Sequence, residues 1–348
     1  GMNDGRSTPR IGPWIAAVVV TLGLIINFPA TQRFFLPPAD KIAALVEESR
    51  RAEPPPPPLR RNVVYDRDLF RGYRLDIYGP LDAETGAETG TEAGESAAGA
   101  GTEAGESAAG AASATSGSPG TISAAPPVIV FFHGGSWLRG DKITIMVIDR
   151  FLDRMRRRGW YVVAVNYTAS LLRGLGGPVA QAREATEWVW DNAETYGWDP
   201  TRVGLYGVSS GGHVALMAAE TADPPRDRGV ISFVLAECAP TDLIAMRRGD
   251  AFDASASFRI FPQYRLRALS PINYVSGDTP PVLLYHGGAD RTVHVNQSKR
   301  YAEALENAGG DATLKIWPRG DHAFLNLSDA IWREQETIAL EWMERRFE

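Results

Sequence analysis

Ser209 sits in Gly207-Val208-Ser209-Ser210-Gly211, a G-x-S-x-G pattern. The residues before it, Arg202 to Tyr206, read as a short buried strand. Those after it, Gly212 to Ala219, read as an apolar helix. A serine on such a strand-to-helix turn is held in a strained backbone conformation with its hydroxyl exposed. Gly207 and Gly211 let strand and helix cross too closely for side chains. A serine hydroxyl is a weak nucleophile at neutral pH. It needs a base, an orienting carboxylate and donors for the oxyanion that develops.

Five histidines are available: His133, His213, His286, His294 and His322. On a strand–serine–helix elbow the order along the chain is serine, then acid, then histidine. His133 precedes the serine, and His213 and His286 precede the best acid. His294 follows that acid by four residues and has difficulty reaching across the site. His322, in the polar loop Gly320-Asp321-His322-Ala323-Phe324 between the last strand and the last helix, is the candidate base. The candidate acid is Asp290, in the loop after the penultimate strand, with Asp321 as its competitor. A sequence neighbour of His322 is poorly placed to bond the imidazole nitrogen facing away from the serine.

The oxyanion donors are expected where the apolar strand 128–132 runs into His133-Gly134-Gly135-Ser136-Trp137. Glycines after a strand let backbone N–H groups point into a cleft. The backbone N–H groups of Gly134, Gly135 and Ser210 are the candidates. Residues 239–271 are the expected cap or pocket wall. Trp137, Phe252, Phe258 and Phe261 are candidate substrate contacts, and the arginines among them offer an attraction for an acidic group. The single cysteine, Cys238, allows no intrachain disulfide and reads as a buried thiol at a strand end.

These residues need a scaffold. From Pro127 onward the pattern alternates strand and helix. Strands are expected at 128–132, 160–165, 203–206, 231–236, 282–286 and 313–317, preceded by strands at 61–65 and 73–78. The second of these early strands alternates, as a half-exposed antiparallel strand does. Helices are expected near 141–158, 178–196, 210–221, 296–309 and 328–347. The implied fold class is α/β, a mostly parallel sheet with helices on both faces.

On these motifs, the stretch from about Val128 to the C-terminus resembles the α/β-hydrolase carboxylesterases. It is most similar to the group with an H-G-G-x-W motif, which includes feruloyl-esterase-like, kynurenine-formamidase-like and prenylcysteine-methylesterase-like proteins. The matching pieces are His133 to Trp137 with Gly140-Asp141-Lys142, Asp199-Pro200, Gly207 to Gly212, Gly287 to Asp290 with Val293, and His322 with Phe324. The resemblance implies an α/β-hydrolase fold with a small cap and a carboxylesterase activity. It assigns Ser209 as nucleophile, Asp290 and His322 as its partners, and Gly134, Gly135 and Ser210 as oxyanion donors. Ser136 stands where lipases carry a third glycine, and Ser210 where many relatives have alanine.

Ahead of this domain lie two further segments, 1–30 and 31–60. Residues 11–28 form the longest apolar run, and 18 helical residues span about 27 Å, close to the hydrocarbon core of a bilayer. The run reads as an uncleaved anchor, because Phe28-Pro29-Ala30 is a poor cleavage signal; secretion after cleavage is the alternative. The flanking charges lean towards an extracytoplasmic catalytic domain. An amphipathic helix at 40–48 and a stiff spacer of five prolines, Pro54 to Pro58, follow. The catalytic domain is expected to occupy 61–348.

Residues 82–125 are a low-complexity insertion, expected to be disordered, in which a ten-residue unit at 91–100 recurs at 102–111. The insertion carries seven acids and no Lys or Arg, so the chain's formal charge of −6 becomes +1 without it. Nothing in that balance points to nucleic acid. No metal-ligand spacing and no cofactor motif is evident. The expected ligand is a small ester, cleaved through an acyl-enzyme. The alternatives are a formamide or other amide cleaved by the same residues, and a membrane-tethered binding protein that keeps the fold without catalysis.

Overall fold

The computed structural model describes residues 59–68, 71–81, 125–138, 140–142, 150–168, 174–222, 229–250 and 261–348. The expected anchor at 11–28, the helix at 40–48, the proline spacer, most of the insertion, Phe252 and Phe258 lie outside the described residues. Among the described residues no helix is long and apolar enough to cross a membrane.

Eight strands form one sheet: β1 (Arg60–Asp68), β2 (Arg71–Tyr78), β3 (Val128–Phe132), β4 (Tyr161–Val165), β5 (Val203–Val208), β6 (Ile231–Glu237), β7 (Val282–Gly287) and β8 (Ala312–Trp317). Their spatial order is β1-β2-β4-β3-β5-β6-β7-β8. β2 pairs antiparallel with β1 and β4, and every other pairing is parallel. All the expected strands are therefore present. The central ones are short apolar runs because both of their faces are buried: every residue of β3 and β4 is inaccessible or nearly so.

Successive side chains of β3 point to opposite layers. Val128, Val130 and Phe132 join one core with the helices α2 (Gly176–Asp191), α3 (Ser210–Thr221) and α5 (Asn296–Asn307). Ile129 and Phe131 join the other with α1 (Arg150–Arg156) and α6 (Asp329–Phe347). The expected helix near 141–158 is described as α1 at its C-terminal end only, since 143–149 lie outside the described residues. Between β6 and β7 the chain forms a short helical turn at Leu243–Ala245, a π-turn at Met246–Asp250 and a helix α4 (Gln263–Ala268), none of which the apolar pattern predicted.

One expectation about β2 is corrected. Its alternation predicted a half-exposed strand, yet Asp76 is buried. The carboxylate lies 3.4 Å from the equally buried Lys142 ammonium and accepts the Asn62 N–H at 2.7 Å. At Asp76 this face of β2 is thus covered by the segment that follows the oxyanion turn, while Arg74 on the same face is exposed as expected, and the Asp76 charge is buried because it is paired.

The parallel strands all deliver their C-terminal ends to one edge of the sheet. Gly207, Gly287 and the turn after Phe132 meet there, so the chemistry-bearing loops collect on one side. The insertion joins the opposite edge. β2 ends with Tyr78 beside Val162, and Ala125 lies three residues before Val128, which pairs with Tyr161.

Candidate active site

The elbow is built as the sequence demands. Ser209 has φ 56° and ψ −120°, the strained conformation required to pass from β5 into α3. Its N–H donates to the Glu237 carbonyl at 2.7 Å, which fixes the turn to the end of β6. Close approach explains the two glycines. A Cβ on Gly207 would lie 2.2 Å from the Gly211 carbonyl oxygen, and one on Gly211 would lie 2.0 Å from that of Phe132.

Three side chains from three loops line up at this turn. His322 Nε2 is 2.9 Å from Ser209 Oγ, and His322 Nδ1 is 2.7 Å from Asp290 Oδ2. The carboxylate bond holds the proton on Nδ1, which leaves the Nε2 lone pair facing the hydroxyl. Asp290 Oδ1 accepts two backbone N–H groups, from Thr292 at 2.8 Å and Val293 at 2.9 Å. Burial by itself would raise the Asp290 carboxyl. The positive charge available on His322 and the hydrogen bonds from His286 and His322 outweigh it and hold the group well below the usual carboxylate range.

His286 is a neighbour that the sequence reasoning set aside on chain order alone. Its Nε2 is 2.8 Å from the Val293 carbonyl and 3.4 Å from Asp290 Oδ2, and its Nδ1 is 2.7 Å from Ser298 Oγ. It lies four residues before Asp290, across one tight turn, and that i, i+4 spacing was the available signal. The acid and histidine loops are themselves fused: a Cβ on Gly287 would lie 2.3 Å from the Gly320 carbonyl oxygen.

The other candidates fall into place around this line. His294 is exposed, and its Nδ1 accepts the Asn296 N–H at the start of α5. Asp321 exchanges hydrogen bonds with Asn326, bracing the loop, and does not meet the imidazole. His133 is buried and stacks on Tyr167 at 4.6 Å. Cys238 is fully buried just beyond β6, with φ 48°.

On the oxyanion side, Gly134 abuts the nucleophile: a Cβ there would lie 3.6 Å from Ser209 Cβ. Gly135, Ser136 and Trp137 all have positive φ, of 131°, 56° and 63°. Ser210 is the first residue of α3, where a backbone N–H has no intrahelical partner. Its hydroxyl, 1% exposed as a residue, is 3.1 Å from the Tyr167 hydroxyl, which also donates to the His133 carbonyl at 2.5 Å. Trp137, a candidate substrate contact, is buried, and its indole N–H is given to His213 Nδ1 at 3.0 Å. Phe261 is partly buried against the core, and its carbonyl accepts from Arg247.

Among the described residues Cys238, His286 and Asp290 offer ligand atoms within 4.8 Å of one another. Those atoms are committed elsewhere. His286 Nε2 serves the Val293 carbonyl, Asp290 serves His322 and two amides, and burial pushes the Cys238 thiol up, against the thiolate that binds metal. What the arrangement can do is move a proton from Ser209 to His322 beside the glycine turn at Gly134–Trp137.

The sequence pattern of one protein family, BD-FAE, matches residues 118–305. Among curated proteins, the chain is 29% identical over 217 residues to "Esterase LipQ" of Mycobacterium tuberculosis, covering 57% of this chain and 50% of LipQ. It is 25% identical over 234 residues to "Isoprenylcysteine alpha-carbonyl methylesterase ICME" of Arabidopsis thaliana, covering 61% and 54%. The chain spans about half the length of the curated relatives it matches. Among solved structures, the apo form of Thermogutta terrifontis esterase 2 aligns with a TM-score of 0.60 at 20% identity, covering 84% of this chain and 96% of that one. A truncated carbohydrate esterase from gut microbiota aligns with a TM-score of 0.59, also at 20% identity, covering 83% and 95%.

Proposed function

The chain belongs to the BD-FAE family of α/β-hydrolases, and from that premise we propose that it is a serine carboxylesterase acting on a small carboxylic ester. The observation that carries this reading is the unbroken line from Ser209 Oγ through His322 to Asp290, at 2.9 Å and 2.7 Å. The esterase relatives support it.

Ser209 Oγ attacks the ester carbonyl while His322 Nε2 takes the hydroxyl proton. Asp290 keeps the imidazole oriented and stabilises the imidazolium that forms. The carbonyl electron pair moves onto oxygen, where the N–H groups of Gly134, Gly135 and Ser210 receive it. As the C–O bond breaks, His322 returns its proton to the leaving alcohol, and Ser209 is left acylated. Water then attacks the acyl carbonyl, giving a proton to His322. The Ser209 oxygen departs and recovers that proton, and the carboxylic acid is released.

The apolar run at 11–28 supports one further proposal: that the domain is tethered to a membrane and faces away from the cytoplasm. A fluorophosphonate probe tests the catalytic reading. The wild type should label on Ser209, with labelling abolished in Ser209→Ala and strongly slowed in His322→Ala. Equal labelling of Ser209→Ala would refute it. Parallel assays with p-nitrophenyl acetate and an aryl formamide separate ester from amide preference, and extraction of the full chain with and without detergent tests the tether.

A further inference from the structure

His213 lies four residues after Ser209, in the first turn of α3, and is fully buried. Neither ring nitrogen touches the Ser209–His322–Asp290 line, and each faces a different part of the chain. Nε2 is 2.7 Å from the Leu269 carbonyl, an acceptor only, so Nε2 carries the hydrogen. Nδ1 is 3.0 Å from the Trp137 indole nitrogen, a donor only, so Nδ1 is a bare lone pair. The two contacts together admit one state of the ring, the neutral Nε2–H tautomer. The indole stands edge-on to the imidazole, with centroids 5.2 Å apart.

Trp137 is the far end of the turn that carries Gly134 and Gly135. That turn closes with the Leu138 N–H on the Gly135 carbonyl, and it contains two consecutive non-glycine residues in the left-handed region. Such residues are strained and persist only where surrounding contacts hold them. The indole N–H bond to His213 is such a contact, and it runs to the helix that starts at the nucleophile. We infer that His213 is a positioning residue, which fixes the oxyanion turn against the elbow helix by accepting the Trp137 indole N–H while its opposite nitrogen ties both to the segment after α4. This inference rests on the serine esterase reading of the site, and it gives that reading a part outside the residues that touch substrate.

The test compares His213→Phe, Trp137→Phe and the double variant, with p-nitrophenyl acetate as substrate and active sites counted by fluorophosphonate titration. Each single substitution should lower kcat per titrated site by about 10–100-fold, the size expected when donors are misplaced, with KM changed by less than about threefold. The double variant should be no more than about twofold worse than the worse single one, because both remove the same bond. A structural role alone would lower the number of titrated sites and leave kcat per site intact, which would overturn the inference. So would losses that multiply in the double variant or fall on KM alone. If His213→Phe does not fold, Trp137→Phe decides by the same kcat criterion. A wild type that neither labels nor turns over brings down the serine reading and this inference together. An active wild type with unaffected variants brings down the inference alone.

Discussion

The two halves of the site are held by different means. The proton-moving half, Asp290 and His322, stands on loops after adjacent strands β7 and β8 whose backbones touch. Gly288 N–H bonds the Trp317 carbonyl at 2.8 Å and Ala289 N–H bonds the Gly320 carbonyl at 2.9 Å. The oxyanion half, Gly134 to Trp137, is held by side chains from distant elements. His213 takes the indole, the Thr168 hydroxyl lies 3.4 Å from the Trp137 carbonyl, Asn166 accepts the Lys142 N–H at 2.7 Å, and Asp76 pairs the Lys142 ammonium. Backbone support makes the first half sensitive to added volume at glycine. Side-chain support makes the second half sensitive to substitutions far from the substrate.

The largest effect should fall on the proton-moving half. Asp290→Asn is expected to lower kcat by about 10⁴-fold with little change in KM, since an amide no longer favours the required tautomer of His322. Steady-state kinetics on the folded variant check this, and an equal loss in His213→Phe would erase the contrast between the halves.

Gly287→Ala should be next. Its new methyl group would have to displace the backbone of Gly320 and Asp321, at a cost of about 1–3 kcal/mol in stability, and would carry His322 away from Ser209. Denaturant midpoints and active-site titration together read both consequences. His286→Leu removes one N–H from beside Asp290 Oδ2, where two histidines and two amides now converge on the carboxylate. A kcat loss of about tenfold, smaller than for Asp290→Asn, is the expected result, in line with loss of one hydrogen bond to a charged group.

Acidification should expose the other half. Burial lowers the His213 pKa to about 4, against 6.5 for the free side chain. Between those values the unfolded chain binds a proton that the folded one refuses. The stability contributed by the neutral ring is therefore complete above about pH 6.5 and falls as pH drops towards 4, by about 1.4 kcal/mol per pH unit. Urea titrations from pH 7 to 4.5 should show this slope in wild type and its reduction by about that amount in His213→Phe. The smallest effect belongs to the insertion, whose flanks join the edge of the sheet opposite the site. Deleting 83–124 should leave kcat/KM for a soluble ester unchanged, and a tenfold loss would overturn that placement.

The chain's own order made much of this legible. Short apolar runs flanked by turns marked the central strands β3, β4 and β7, because a strand buried on both faces leaves no room for polar residues, whereas β2 was marked by its alternation. Gly207 and Gly211 announced the elbow because only glycine permits such an approach of backbones. The chemistry of a serine nucleophile, read along the chain, singled out Ser209, Asp290 and His322 and sent attention to Gly134, Gly135 and Ser210. The short helices around Leu243 and Gln263 escaped because neither is long enough to display a period. The alternation of β2 did not show that Asp76 is buried, because alternation records polarity and cannot tell a solvated charge from one paired with a lysine 66 positions away.

The roles of His286 and His213 belonged to the tertiary structure alone. Both were excluded as base by chain order, and apart from the i, i+4 spacing of His286 to Asp290 nothing local distinguishes them from structural histidines. Their contacts depend on which carbonyl, indole or carboxylate the folded backbone brings within about 3 Å of each nitrogen, the reach of a hydrogen bond. Sequence spacing decides which residues can share a turn or a strand face. Only the packed sheet decides that Trp137, His213 and Leu269 meet, because that distance is set by helices and strands crossing rather than by positions along the chain.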